Sequence, residues 1–293
     1  MNIKDIWLNY SERIAEIELF QRAVKSASSA ELKALLQYAE NEGAYPELKG
    51  VRLSSHNMTF RDARSGQVSS YHYRTMSADD RESEALFRKN RQYQWLLAEA
   101  YEEFEDYLFK VYAYCGLNDA NFWPLCDYGN IKLSERDKLD FNWHLQQANK
   151  KKGAPKSILE TFRKSFPQLQ YIESKNYFDV NLEFAIVLIE KLRHLIVHNC
   201  GRTISIEDFT DLVAKEAGVF NNGKILIGHK QLVEQFFGKD KYRNLIALLE
   251  IPINSDPSFR TYVCRFGMLI EFLMSYSHLL YEMVNIYIKP TKA

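Results

Sequence analysis

Residues Glu190 to Thr203 read EKLRHLIVHNCGRT. Leu192, Leu195, Ile196 and Val197 give this run an apolar surface, while Arg193, His194 and His198 set three nitrogen-rich side chains into it. Gly201 stands where a left-handed residue would end a helix. Traced backwards, helical spacing continues to near Phe178, so the stretch is the C-terminal end of a long, mostly buried helix from about 178 to 199.

Composition agrees with a helical body. The chain of 293 residues is 46% hydrophobic and 14% aromatic, enough to fill a sizeable core, and its 12 glycines and 7 prolines are too few for a turn-rich β sandwich. Lys plus Arg and Asp plus Glu balance at 38 each, so no global field draws it to nucleic acid or membrane, and any RNA affinity has to come from a local patch. Cys115, Cys126, Cys200 and Cys264 are scattered without a metal or redox spacing, as expected of a reduced, cytoplasmic setting. The N-terminal segment lacks the uninterrupted apolar core of a secretory signal. The greasy stretch Gly267 to Ile288 contains Glu271, His278 and Glu282, which marks a buried or partner-facing helix and no membrane span.

The expected fold class is mainly α, an up-down helical bundle with a small β-hairpin. Residues 1–80 form an N-terminal part: a helical hairpin over about 3–42, then a polar loop with short extended pieces. Residues 81–293 form the main helical domain. It opens with a long amphipathic helix ended by Gly116 and carries an irregular insertion at 117–154 that contains one helix. A short helix over 155–165 is broken by Pro167. The run ISIEDFTDLV to AGVFNNGKILIG, with Asn222-Gly223 at its turn, predicts a β-hairpin near 204–228. Helical spacing returns in KQLVEQFFG and NLIALLE, and a last long helix runs from about Phe259 to Ile288.

The chemistry concentrates where we began. His194 and His198, four apart, share a helix face, whereas Arg193 lies about 140° around the axis from His198. Two copies related by a two-fold axis would bring two arginines and two histidines around one cleft, an arrangement suited to a phosphodiester. Histidine exchanges a proton near neutrality, and arginine neutralises growing phosphate charge. An arginine and a histidine at this spacing arise by chance about once in such a chain, so the signal lies in their placement at the end of the most apolar internal helix.

The run R-H-L-I-V-H-N-C-G resembles the signature of HEPN-domain proteins: arginine, a polar residue, three to five others, then histidine. The order of elements from about residue 80 onward is also similar. The resemblance implies an α-helical bundle, a metal-independent endoribonuclease with no cofactor, and a composite site in a homodimer. It makes Arg193 and His198 catalytic and puts His194 at the polar position, where the family more often has asparagine or aspartate. Attack by the ribose 2′-hydroxyl would leave a 2′,3′-cyclic phosphate and a 5′-hydroxyl. Asn199 and Arg202 are neighbours able to bind RNA phosphate. Such proteins often serve as toxins with an antitoxin partner or in phage defence, and some retain the bundle as catalytically inactive protein- or RNA-binding modules.

Other readings weigh less. His194 and His198 have the spacing of two zinc ligands, with Cys200 or His229 to complete a site, but the intervening glutamate of an HExxH protease is absent. The acidic residues Glu99, Glu102, Glu103, Glu105 and Asp106 offer a carboxylate to orient a histidine, or simply a solvated face. Arg88-Lys89-Asn90-Arg91 and Lys150-Lys151-Lys152 are basic pieces that would guide phosphates or lie on an ordinary surface. Tyr71, His72 and Tyr73 offer rings for unpaired bases, although loop aromatics more often pack locally.

Overall fold

The computed structural model describes residues 2–43, 54–220, 225–252 and 261–288. No glycine or proline interrupts residues 3 to 42, and one helix, α1 (Ile3–Gly43), runs through all of it. The expected helical hairpin is therefore a single rod. Ser29 Oγ bonds back to the Lys25 carbonyl at 2.8 Å, satisfying the hydroxyl inside the helix instead of in a turn. The chain divides into two compact units, residues 1–18 with 93–293 and residues 19–92.

In the unit of residues 19–92, the stretch expected as a polar loop holds a regular antiparallel hairpin, β1 (Ser54–Arg61) and β2 (Val68–Met76), with a register shift between Met58 and Thr59. Its turn is made by Asp62, whose Oδ1 accepts from the N–H groups of Arg64 (2.9 Å) and Ser65 (2.8 Å), and by Gly66 at φ +69°. Helix α2 (Ala78–Asn118) follows, and within this unit Arg88 reaches Glu31 on α1.

The larger unit is built around the second half of α2. Tyr93, Leu97, Phe104, Tyr107, Leu108, Val111 and Tyr112 recur at helical spacing and are at most 1% exposed. After two short 3₁₀ turns come α3 (Phe141–Asn149), α4 (Lys156–Ser165), α5 (Pro167–Ser174) and α6 (Leu182–His198). Pro167 both ends α4 and begins α5, since a proline's missing N–H is not needed in a first helical turn. Asn181 caps α6 by accepting from the Phe184 N–H. Nine residues of α6 are buried, and it packs against α9 (Arg265–Tyr287), where Tyr276, Leu273 and Leu280 are fully enclosed. Burying each Leu or Ile side chain contributes about 1.5–3 kcal/mol. Tyr107 joins α2 to α9 through a hydrogen bond to the Ser277 carbonyl at 2.8 Å.

Three expectations in this unit are corrected. The hairpin near 204–228 is corrected: α7 (Ile206–Glu216) takes its first run, residues 217–220 and 225–226 are irregular and not strands, α8 (Ile227–Glu234) begins at its end, and Asn222-Gly223 lies outside the described residues. Ser205 caps α7 through the Asp208 N–H, and Ile206, Phe209, Thr210, Val213 and Ala214 bury one helical face. NLIALLE is extended instead of helical and leads into β3 (Glu250–Pro252), which pairs with β4 (Tyr262–Cys264). Gly116 does not end α2, which runs two residues further; it makes room for Trp123, whose Cε2 would lie 2.4 Å from an added Cβ. Alanine is the better helix former by about 1 kcal/mol, yet Gly116→Ala is expected to destabilise by about 1–3 kcal/mol because the buried indole must move. A lower urea midpoint with an unchanged slope checks this.

The fold class is thus mainly α with small antiparallel hairpins, and among the described residues no helix is long and apolar enough to cross a membrane.

Candidate functional site

The end of α6 is shaped by main-chain bonds. The N–H groups of Asn199 and Gly201 both donate to the Leu195 carbonyl at 2.9 Å, and Cys200 and Gly201 both adopt left-handed φ. Glycine is required at 201: φ is +71°, and a Cβ would lie 2.6 Å from Oε1 of the buried Gln94. Gln94 in turn donates to the Ile246 carbonyl at 2.7 Å. Beyond the reversal the chain pairs with residues 244–246: Ile246 N–H reaches the Gly201 carbonyl at 2.9 Å and Thr203 N–H the Asn244 carbonyl at 3.0 Å.

This clamp presents the histidines outward. His194 and His198 are both exposed, with ring centroids 4.6 Å apart and planes inclined by 49°. Asn199 and Arg202 follow on the same reversal, also exposed. Arg193 goes elsewhere: its guanidinium pairs with Glu102 on α2, its side chain is 27% exposed, and its Nε is buried without a hydrogen-bond partner. The structure therefore brings the two imidazoles together and joins the arginine to a carboxylate of the same chain.

The acidic face of α2 divides by role. Glu102 holds Arg193, Glu103 pairs with Arg13 at 3.1 Å, and Asp106 pairs with Lys110. Glu105 is partly buried, and desolvation, then the charge of Glu102, push its carboxyl up to about 7, with Arg193 opposing and Glu190 adding to the rise. Burial likewise raises the Tyr101 phenol, whose hydroxyl has no hydrogen-bond partner. The sequence offers Glu105 only as one of five acidic residues on a helix face, and Glu190 not at all. Their signal was the spacing of three that separates Glu102 from Glu105 on α2 and Glu190 from Arg193 on α6.

Between pH 4.5 and 7 the folded chain retains a proton on Glu105 that the unfolded chain releases, so this group lowers stability as pH rises through that window. Glu105→Gln is expected to flatten that decline, read as urea midpoints from pH 4.5 to 8.

The remaining candidates are engaged in other contacts. His229 stacks on Phe184 (4.5 Å between centroids, 18° between planes), and among the described residues no three His, Cys, Asp or Glu side chains form a metal-binding group. Of the basic pieces, Lys89 and Asn90 are buried, and Lys151 is engaged by Asp127 and the ring of Tyr112. Those residues build structure and are not free to guide phosphates. No protein family, no curated protein and no solved structure matches the chain.

Proposed function

We propose that the protein is a metal-independent endoribonuclease of the HEPN type, acting as a symmetric homodimer on RNA. The observation that carries this reading is the pair of exposed imidazoles, 4.6 Å apart, on a rigidly clamped helix end directly after Arg193. Histidines serving only to fill the core would be enclosed; these are open to a substrate.

His198 takes the proton from a ribose 2′-hydroxyl as that oxygen bonds to the adjacent phosphorus; the bond to the 5′-oxygen breaks, and a proton supplied by the imidazole pair neutralises the leaving group. The products are a 2′,3′-cyclic phosphate and a 5′-hydroxyl. Arg193, released from Glu102, stabilises the pentacoordinate phosphate, while Asn199 and Arg202 hold flanking phosphates and His194 orients the substrate or shares the proton. Such an activity fits a toxin restrained by an antitoxin, or a phage-defence effector.

The ion pair of Arg193 with Glu102 favours a second reading, a catalytically inactive HEPN-like module that binds protein or RNA, because an arginine held this way is unavailable to phosphate. Mixed RNA incubated with purified protein in EDTA separates the two. Cleavage that leaves cyclic phosphate ends and spares a 2′-deoxy substitution at the scissile position supports the enzyme. Intact RNA with both the wild type and Glu102→Gln overturns it in favour of the binding module.

A further inference from the structure

The β1–β2 hairpin is built unlike the rest of the molecule. Two strands alone are marginally stable in water, and this pair adds almost no core: nearly every residue from Ser55 to Arg74 is exposed or half-exposed. Its large rings nevertheless face solvent, Phe60 at 50%, Tyr71 at 67% and Tyr73 at 62%. Phe60 and Tyr71 touch each other across the strands, 6.4 Å between centroids, and Tyr73 follows Tyr71 by two residues along β2. The register shift leaves Tyr71 without a partner on β1; by alternation Phe60 lies on the same face as His56, Met58, His72 and Arg74, and Tyr73 with Asn57 on the other. Residues 54–76 contain Arg61, Arg64 and Arg74 against one acid, Asp62, whose carboxylate is bound into the turn by Ser65 and Arg64; Arg74 is held by Glu84 at 3.3 Å, so the charge offered to phosphate is that of Arg61 and Arg64.

We infer that this hairpin is a stacking platform for single-stranded RNA, distinct from the α6 tip. Among the rings stand small polar residues, Asn57, Ser69 and Ser70, with Met58 and the exposed Val68 the aliphatic side chains beside them, fewer than a protein interface would gather. Rings with flanking guanidinium groups match bases and phosphates, since every base offers a face to stack and every linkage a negative charge. Phe60 and Tyr71, in contact across the strands, and Tyr73 two residues further along β2 present exposed ring faces on which the bases of an unpaired strand can stack. A duplex keeps its base faces inside and cannot use them.

The choice of RNA rests on the ribonuclease reading, and the test keeps the two apart. Binding of a fluorescein-labelled 15-nucleotide single-stranded RNA to the full chain is followed by anisotropy in EDTA, with His198→Ala as the parent so that the RNA stays intact. Adding Tyr71→Ala and Tyr73→Ala is expected to weaken binding by about 30-fold or more. Replacing Arg61 and Arg64 by alanine is expected to lower the slope of log affinity against log salt by about 1 to 2. Unchanged helical circular dichroism shows that the variants fold. Retained affinity in the tyrosine variant overturns the inference, as does tighter binding to duplex RNA or to polyglutamate than to the single strand. If the wild type leaves RNA uncut yet the tyrosine variant loses binding, the platform stands and the nuclease falls. If RNA is cut and the variant binds as its parent does, the platform alone falls.

Discussion

His198→Ala is expected to reduce RNA cleavage in EDTA by about 10²–10⁴-fold, the range that a positioned acid or base contributes. The effect should be chemical and not structural. His198 is exposed in the last turn of α6, and the reversal after it is held by main-chain bonds from Asn199, Gly201 and Thr203, so the fold loses little when the imidazole is removed. The urea midpoint of the variant should therefore match the wild type. His194→Ala should be milder, because the neighbouring ring supports the chemistry without being the residue at the signature's histidine position. Single-turnover rates with excess protein, measured beside the unfolding curves, check both. An unchanged rate in His198→Ala would remove this residue from the chemistry, however the fold behaves.

The largest loss of stability is expected from Arg163→Ala, about 3–5 kcal/mol. Arg163 on α4 is almost enclosed. Its Nε donates to both oxygens of Glu173 on α5 (2.9 and 3.0 Å), and its Nη1 pairs with Glu183 in the first turn of α6 at 2.9 Å. Tyr276 of α9 closes the group by donating to Glu173 at 2.6 Å. One guanidinium thereby connects four helices. Removing it leaves the carboxylate of Glu173, 3% exposed, without its counter-ion. The melting temperature should fall by about 10 °C. Replacing Arg163 by Met and Glu173 by Leu together should recover much of the loss, because no buried charge is then orphaned.

The helices that organise the larger unit were legible because their burial is periodic. Tyr93 to Tyr112 and Leu182 to Ile196 repeat at three and four, and Asn181 and Gly201 bracket the second of these runs. Local preference misled where a cap outweighed it. Ile204 and Ile206 look like strand formers, yet Ser205 opens a helix between them, and the stretch from Ser54 to Met76 looks polar because its hairpin has no buried face to reveal by alternation. At the site, the positions of His194 and His198 followed from their spacing of four. The attachment of Arg193 to Glu102 did not, since those residues are ninety-one apart and only tertiary packing makes them neighbours. Arg163 was equally invisible, for beside Lys164 it reads as an ordinary basic last turn of a short helix and carries no mark of the two glutamates waiting on other elements.

The main-chain clamp from residue 199 to 203 has a bearing on how this protein can evolve. Because peptide groups and not side chains fix the reversal, the outward positions there, Arg202 and the 96%-exposed Ile204, are free to drift without displacing the imidazoles. The surface around the two histidines can therefore change while their rings keep their places, with Gly201 the one residue of the turn whose replacement both its backbone and the buried Gln94 oppose.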